Sequence, residues 1–222
     1  KNGSMYGFDQ RASPSRTDIH SYLARPTMDQ PAAEMYILGK LRHGLPKERT
    51  YHSFSHTLDV YRSVVAAAVQ EDIEGEDLDL IRTAALYHDS GFLVSDHEHE
   101  KVGCELAREA LPRFGYSAEQ IERVCTMVMA TKVPQQPQNH LSKILCDADL
   151  DYLGRSDFFR IGTTLYWEFL HYGVVKDERD WNELQVRFMT QHTYFTELSR
   201  TIREPVKQKH LQMVKDWLVN NP

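Results

Sequence analysis

Four short stretches carry side chains whose types and spacing could do chemistry. In "YHSFSHTLDV", His52 and His56 stand four residues apart, so on a helix both imidazoles share one face near its N-terminus. In "AALYHDSGF" an apolar run stops abruptly at His88 and Asp89. "SDHEHEKVG" gathers His97, Glu98, His99 and Glu100, and "ILCDADLDYLG" sets Asp147, Asp149 and Asp151 among Ile144, Leu145, Leu150 and Leu153, which read as core. A helix end where polar groups return to water is the plain reading of His88 and Asp89 alone. A carboxylate embedded among core residues, however, needs donors or a cation to offset its desolvation. Two histidines and two carboxylates converging from three helices would form a mixed nitrogen and oxygen set. Such a set suits a divalent ion such as Mn, Fe, Co, Zn or Mg, one or two in number, with positions left for water and substrate.

The elements that must position these groups are helical by their periodicity. "AAEMYILGKLRHGL" repeats apolar residues at Met35, Leu38 and Leu41 and meets stop signals at Gly44 and Pro46. "SHTLDVYRSVVAAAVQED" is strongly amphipathic, and further helices are predicted over 77–87 and 98–111. Ser117, three residues before Gln120, signals a capping box at the next helix start, and the prolines of "VPQQPQNH" break that helix. Helices over 141–152, 156–172, 178–200 and 205–219 follow. Alternating strand patterns are absent, so the predicted fold class is all-α, in a single domain over 29–222. Residues 1–28, rich in Ser, Arg and Pro, read as a loosely ordered N-terminal segment, with Lys1–Ser4 read as vector-derived.

Composition narrows the function classes. The net charge is -6 and the basic residues are scattered, which argues against a binder of duplex nucleic acid. Cys104, Cys125 and Cys146 lie far apart in apolar contexts with no C-x-x-C spacing, as expected of reduced thiols in a cytoplasmic protein. No apolar run approaches the roughly 20 residues of a membrane span, and no signal-peptide pattern opens the chain.

The ordered set His56, His88 with Asp89, then Asp149 resembles the HD-domain metal-dependent phosphohydrolases, whose pattern is H, then HD, then D on a helical bundle. The resemblance runs from about Tyr51 to Asp157. It implies that His56, His88, Asp89 and Asp149 hold a metal that acidifies a bound water and polarises a phosphoryl oxygen. "YHSFSHTLDV" is also similar to the "YHN-x-x-H" opening of cyclic-nucleotide phosphodiesterases, which implies that His52 donates a proton to the leaving oxygen. Ser53 departs from that opening, and "HDSGFL" lacks the second histidine of the phosphodiesterase "HD-x-x-H-P-G". A nearer resemblance is to bacterial HD proteins of unassigned substrate with "HD-x-G-F", then "HE", then "DADLDYLG".

Within "CDADLD" the family habit of placing the ligand after Ala points to Asp149. Asp147 is the competing ligand or an acceptor that orients a ligand histidine, and Asp151 reads as helix surface. His99 and Glu100 match the family's "HE" and are second-metal ligands or the group that orients water; the alternative is a solvated acidic helix start. Glu100 or Asp89 would accept the water proton. Lys132 and Arg155 could hold phosphate oxygens, or could simply suit helix C-termini. His171, His192 and His210 read as surface or packed histidines, and Trp167, Phe169, Trp181, Phe188 and Phe195 as core. The expected partner is a small phosphorylated substrate, a nucleotide or cyclic nucleotide first. A non-nucleotide phosphoester and a silent nucleotide-binding module are the alternatives.

Overall fold

Six of the ten described α-helices open on a side-chain oxygen that accepts a backbone amide. The computed structural model describes residues 27–222, and among them every regular element is helical. Asp29 accepts from the Ala32 amide to open α1 (Gln30–Gly44), and Ser53 from that of His56 to open α2 (Phe54–Gln70). After α3 (Gly75–Tyr87) and α4 (His99–Ala110), Ser117 and Gln120 form the expected capping box at α5 (Ala118–Ala130). Asn139 caps α6 (His140–Asp149), while α7 (Phe158–His171) starts without a side-chain cap. Asp177 caps α8 (Glu178–Gln191) and Thr196 caps α9 (Glu197–Ile202), which leads into α10 (Glu204–Asn220). Each such cap satisfies an amide that the helix itself leaves orphaned, a contribution of about 1 kcal/mol.

Two apolar cores meet near the chemistry-bearing residues. The larger is built from α1 to α6, with α3 buried almost all round from Leu80 to Tyr87. The smaller joins Tyr51, Leu150, Tyr152 and Leu153 to Phe158, Met189, Leu211 and Val214 of α7, α8 and α10. Close backbone approach holds this junction: a Cβ on Gly154 would meet the Arg203 carbonyl oxygen at 2.5 Å. No described helix is long and apolar enough to cross a membrane.

Several sequence expectations shift. The buried stripe of α1 is Ala33, Ile37 and Leu41, whereas Met35 is 76% exposed, so the inward face is rotated from the one predicted. The single helix expected over 178–200 is broken into α8 and α9. Asp147 accepts the Phe195 and Thr196 amides at 2.8 Å each and the Thr196 hydroxyl at 2.7 Å, replacing the helical ladder with tertiary bonds. Asp151, expected at the surface, is buried and paired with Arg203 at 2.5 Å. Trp167, expected in the core, is 57% exposed. The loose segment expected over 1–28 falls almost wholly outside the described residues.

Candidate metal centre and its chamber

His56 sits in the first turn of α2, His88 directly after α3, and Asp149 at the end of α6. The packing of these helices drives their polar tips together. His56 Nε2 lies 3.3 Å from His88 Nε2 and 3.2 Å from Asp149 Oδ1, and His88 Nε2 lies 3.5 Å from the same oxygen. Asp89 Oδ2 joins them at 3.4 Å from His56 Nε2 and 3.2 Å from His88 Nε2. All four residues are buried or nearly so.

These donors fit a metal on three independent grounds. Atoms bound to one ion at roughly 2.0 to 2.2 Å must stand about 3 to 3.5 Å from one another, the separation seen here. Asp89 Oδ2 is buried with no hydrogen-bond partner, a costly orphan that a cation would satisfy. His88 Nδ1 lies 2.8 Å from the Ala85 carbonyl oxygen, which can only accept, so Nδ1 carries the proton and Nε2 is turned to the cluster.

Electrostatics point the same way. Burial works against the Asp149 charge, but hydrogen bonds from His56 and His88 bring its carboxyl down to about 2. Asp89 is held well below the carboxylate range against its burial, chiefly by His88. His88, also opposed by burial, is held well above the usual imidazole value by Asp89 and Asp149. The ionised carboxylates thus call for positive charge in the space among them. Two imidazolium protons cannot both lie along a 3.3 Å line between the nitrogens, so a compact cation answers that demand better than protonation.

The rest of "HDSGF" holds this geometry. A Cβ on Gly91 would meet the His99 carbonyl oxygen at 1.9 Å, so only glycine lets this turn lie against the start of α4. Phe92 stacks on His99, centroids 4.0 Å apart, and packs against His52 at 4.7 Å. His99 Nε2 stands 3.4 Å from both Asp89 Oδ1 and Glu100 Oε1, so Asp89 presents one oxygen to each group of donors. Gln135 Nε2 reaches Asp149 Oδ2 at 3.4 Å and the Cys146 carbonyl at 3.2 Å, bracing the end of α6.

His52 is placed by a residue that sequence reasoning missed. Glu168 of α7, 0% exposed, meets His52 Nδ1 at 2.5 Å and accepts the amides of Tyr51 and His52 and the Arg49 guanidinium. Burial opposes a charged His52, but the Glu168 bond and then the Asp89 charge outweigh it and raise its pKa. Glu168 itself is brought down to about 2 against burial, by His52 first. Arg49 is clamped between Phe92 and Tyr172, 4.2 and 4.0 Å from their ring centres, and reaches Asp96 at 2.5 Å. A glutamate on an amphipathic helix looks like ordinary surface in a sequence; only its fold-dependent partners, more than a hundred residues away, mark it.

Of the other expected site residues, Glu100 is buried beside His99, and Lys132 stands at the mouth of the same chamber. Asp147 does not reach the cluster, because its carboxylate is committed to Phe195 and Thr196. Arg155 does not line the chamber either; its guanidinium is engaged by Asp59 and Asp157 at 2.9 Å and by Asp151 at 3.3 Å. The chamber holds about 540 Å³, with His52, Asp89, His99, Glu100 and Asp149 at one end. Phe169, Trp181 and Phe188, expected in the core, line it.

Residues 53–151 match the family model of the HD domain, and this stretch carries His56, His88, Asp89 and Asp149. The chain is thus similar to the HD domain over somewhat less than half of its length, and the H, HD and D of that pattern are drawn together in space. A predicted HD superfamily hydrolase from an uncultured Thermotogales bacterium has a similar fold in its crystal structure. The TM-score is 0.57 at 22% identity, over 85% of this chain and 92% of that one. No curated protein shows significant similarity to the chain.

Proposed function

We propose that the protein is a metal-dependent phosphohydrolase that cleaves a phosphoester or phosphoanhydride with water. The observation that carries this reading is the meeting of two imidazoles and two carboxylates at 3.2 to 3.5 Å, at the end of a chamber that also receives His52. His56, His88, Asp89 and Asp149 would hold the divalent ion, which supplies Lewis acidity toward a phosphoryl oxygen and toward water. The second oxygen of Asp89, with His99 and Glu100, offers donors for a second ion.

The chain's own residues divide the remaining work. Glu168 takes His52 Nδ1, leaving Nε2 as the nitrogen that can donate a proton to the departing oxygen. Glu100, buried beside His99, or Asp89 accepts the proton of the attacking water. Lys132 offers its ammonium to phosphate oxygens at the mouth. Nucleotides and cyclic nucleotides stand first among the substrates that the family resemblance implies. Protein purified without added metal should contain a stoichiometric divalent ion, release phosphate from a generic phosphomonoester, lose that activity in EDTA and regain it with Mn. Metal-free protein with undiminished phosphate release would overturn the proposal.

A further inference from the structure

Beyond the metal donors the chamber changes character. An apolar part of its lining is made by Leu165 and Phe169 of α7 with Trp181, Leu184, Phe188 and Met189 of α8, all outside the stretch that matches the HD domain. Gln185 is the polar side chain on that wall; its Nε2 donates to Asn182 Oδ1 at 2.9 Å, and its Oε1 is turned toward Gly162. Lys132 is the lysine or arginine among the lining residues, against the carboxylates of Glu98, Glu100, Asp89 and Asp149.

From this division we infer that the substrate is a phosphomonoester with a single phosphoryl group and an apolar, uncharged organic group, an alkyl or aryl phosphate. The inference rests on the phosphohydrolase reading and replaces the nucleotide as its substrate. A base and ribose carry several donors and acceptors, and each one left unmatched against this wall weakens binding by roughly tenfold or more. With a divalent ion offsetting Asp89 and Asp149, a di- or triphosphate would still bring further negative charge to a lining in which Lys132 alone opposes Glu98 and Glu100. An apolar chain, in contrast, gains from every buried methylene, and about 540 Å³ lies within the roughly 300 to 1,000 Å³ of small-molecule sites. The held imidazole suits this class as well, because an alkoxide is a poor leaving group. Water oxygen bonds to phosphorus, the bond from phosphorus to the ester oxygen breaks with its electron pair staying on that oxygen, and His52 protonates it to the alcohol. The proton lost by water passes to Glu100 or Asp89.

The test is phosphate release by the Mn-loaded full chain from straight-chain alkyl phosphates of two to eight carbons, with AMP alongside and cyclic AMP followed by its conversion to AMP. We expect kcat/KM to rise about 3- to 4-fold per added methylene until the chamber is full, and octyl phosphate to exceed AMP by tenfold or more. Leu184→Asp should flatten the dependence on chain length, with metal content reporting that the variant is folded. A flat series, or preference for AMP or cyclic AMP, overturns the inference while leaving the phosphohydrolase reading intact. If no phosphoester is cleaved, that reading fails, and calorimetric titration of the Mn-loaded protein with alkylphosphonates still decides the chamber's role. Affinity rising with chain length supports it, and equal affinities overturn it.

Discussion

As the proposed acid, His52 would be useful only while something fixes its ring, and Glu168 does so from more than a hundred residues away. Glu168→Gln keeps the shape but removes the charge that favours protonated His52. Turnover of a substrate with a poor leaving group should fall by roughly 10- to 100-fold, less than the 10²- to 10⁴-fold expected for losing the general acid itself. Because Glu168 raises the His52 pKa, the alkaline limb of the pH profile should move to lower pH in the variant. Unchanged turnover and an unshifted limb in a metal-loaded variant would remove Glu168 from the account. At this scale the sequence is informative where residue type and order coincide. His56, His88, Asp89 and Asp149 stand out because such groups are rare beside core residues, and the structure does bring them together. Asp147 and Arg155 mislead because a charge between apolar neighbours says that it needs a partner without saying which. Their partners, Thr196 for one and Asp59 for the other, come from distant elements.

Helices are legible from apolar spacing, but the break between α8 and α9 is not, since it is made by Asp147 of α6. Asp147→Ala would leave the Phe195 and Thr196 amides without their acceptor, at about 1 to 3 kcal/mol for each donor that stays buried. A thermal melt should show a lower Tm by several degrees; an unchanged Tm would mean that the break is held by something else. The same region carries a pH-dependent contribution. At the end of α8, burial and the Lys207 ammonium bring His192 down to about 4, so it stays neutral in the folded state while the unfolded imidazole titrates near 6.5. The unfolded state therefore binds an extra proton between those values, and stability is full above about pH 6.5 and falls as pH drops toward 4. His192→Asn, which keeps an acceptor near Lys207, should make the loss of Tm over that window shallower. An identical pH slope in variant and parent would show that His192 is not the group responsible.

For the molecule as a whole, the proposed ligands belong to the first six helices, and Glu168 and the chamber's apolar wall to the later ones. The sequence resembles the HD domain over the former and is silent on the latter, because an aromatic residue at helical spacing reads the same whether it faces a neighbour or an internal space. Phe169, Trp181 and Phe188 are apolar as expected, yet they face the chamber. The two histidines, expected on one helical face, part at the start of α2: His56 in its first turn points to the cluster, and His52, ahead of the Ser53 cap, to Glu168. The most direct measurement is elemental analysis of purified His56→Ala and His52→Ala beside the parent, paired with phosphate release. The account predicts that His56→Ala loses the metal and all activity, whereas His52→Ala keeps stoichiometric metal and is slowed by roughly 10²- to 10⁴-fold on a poor leaving group. Full metal in His56→Ala, or its loss from His52→Ala, would contradict it.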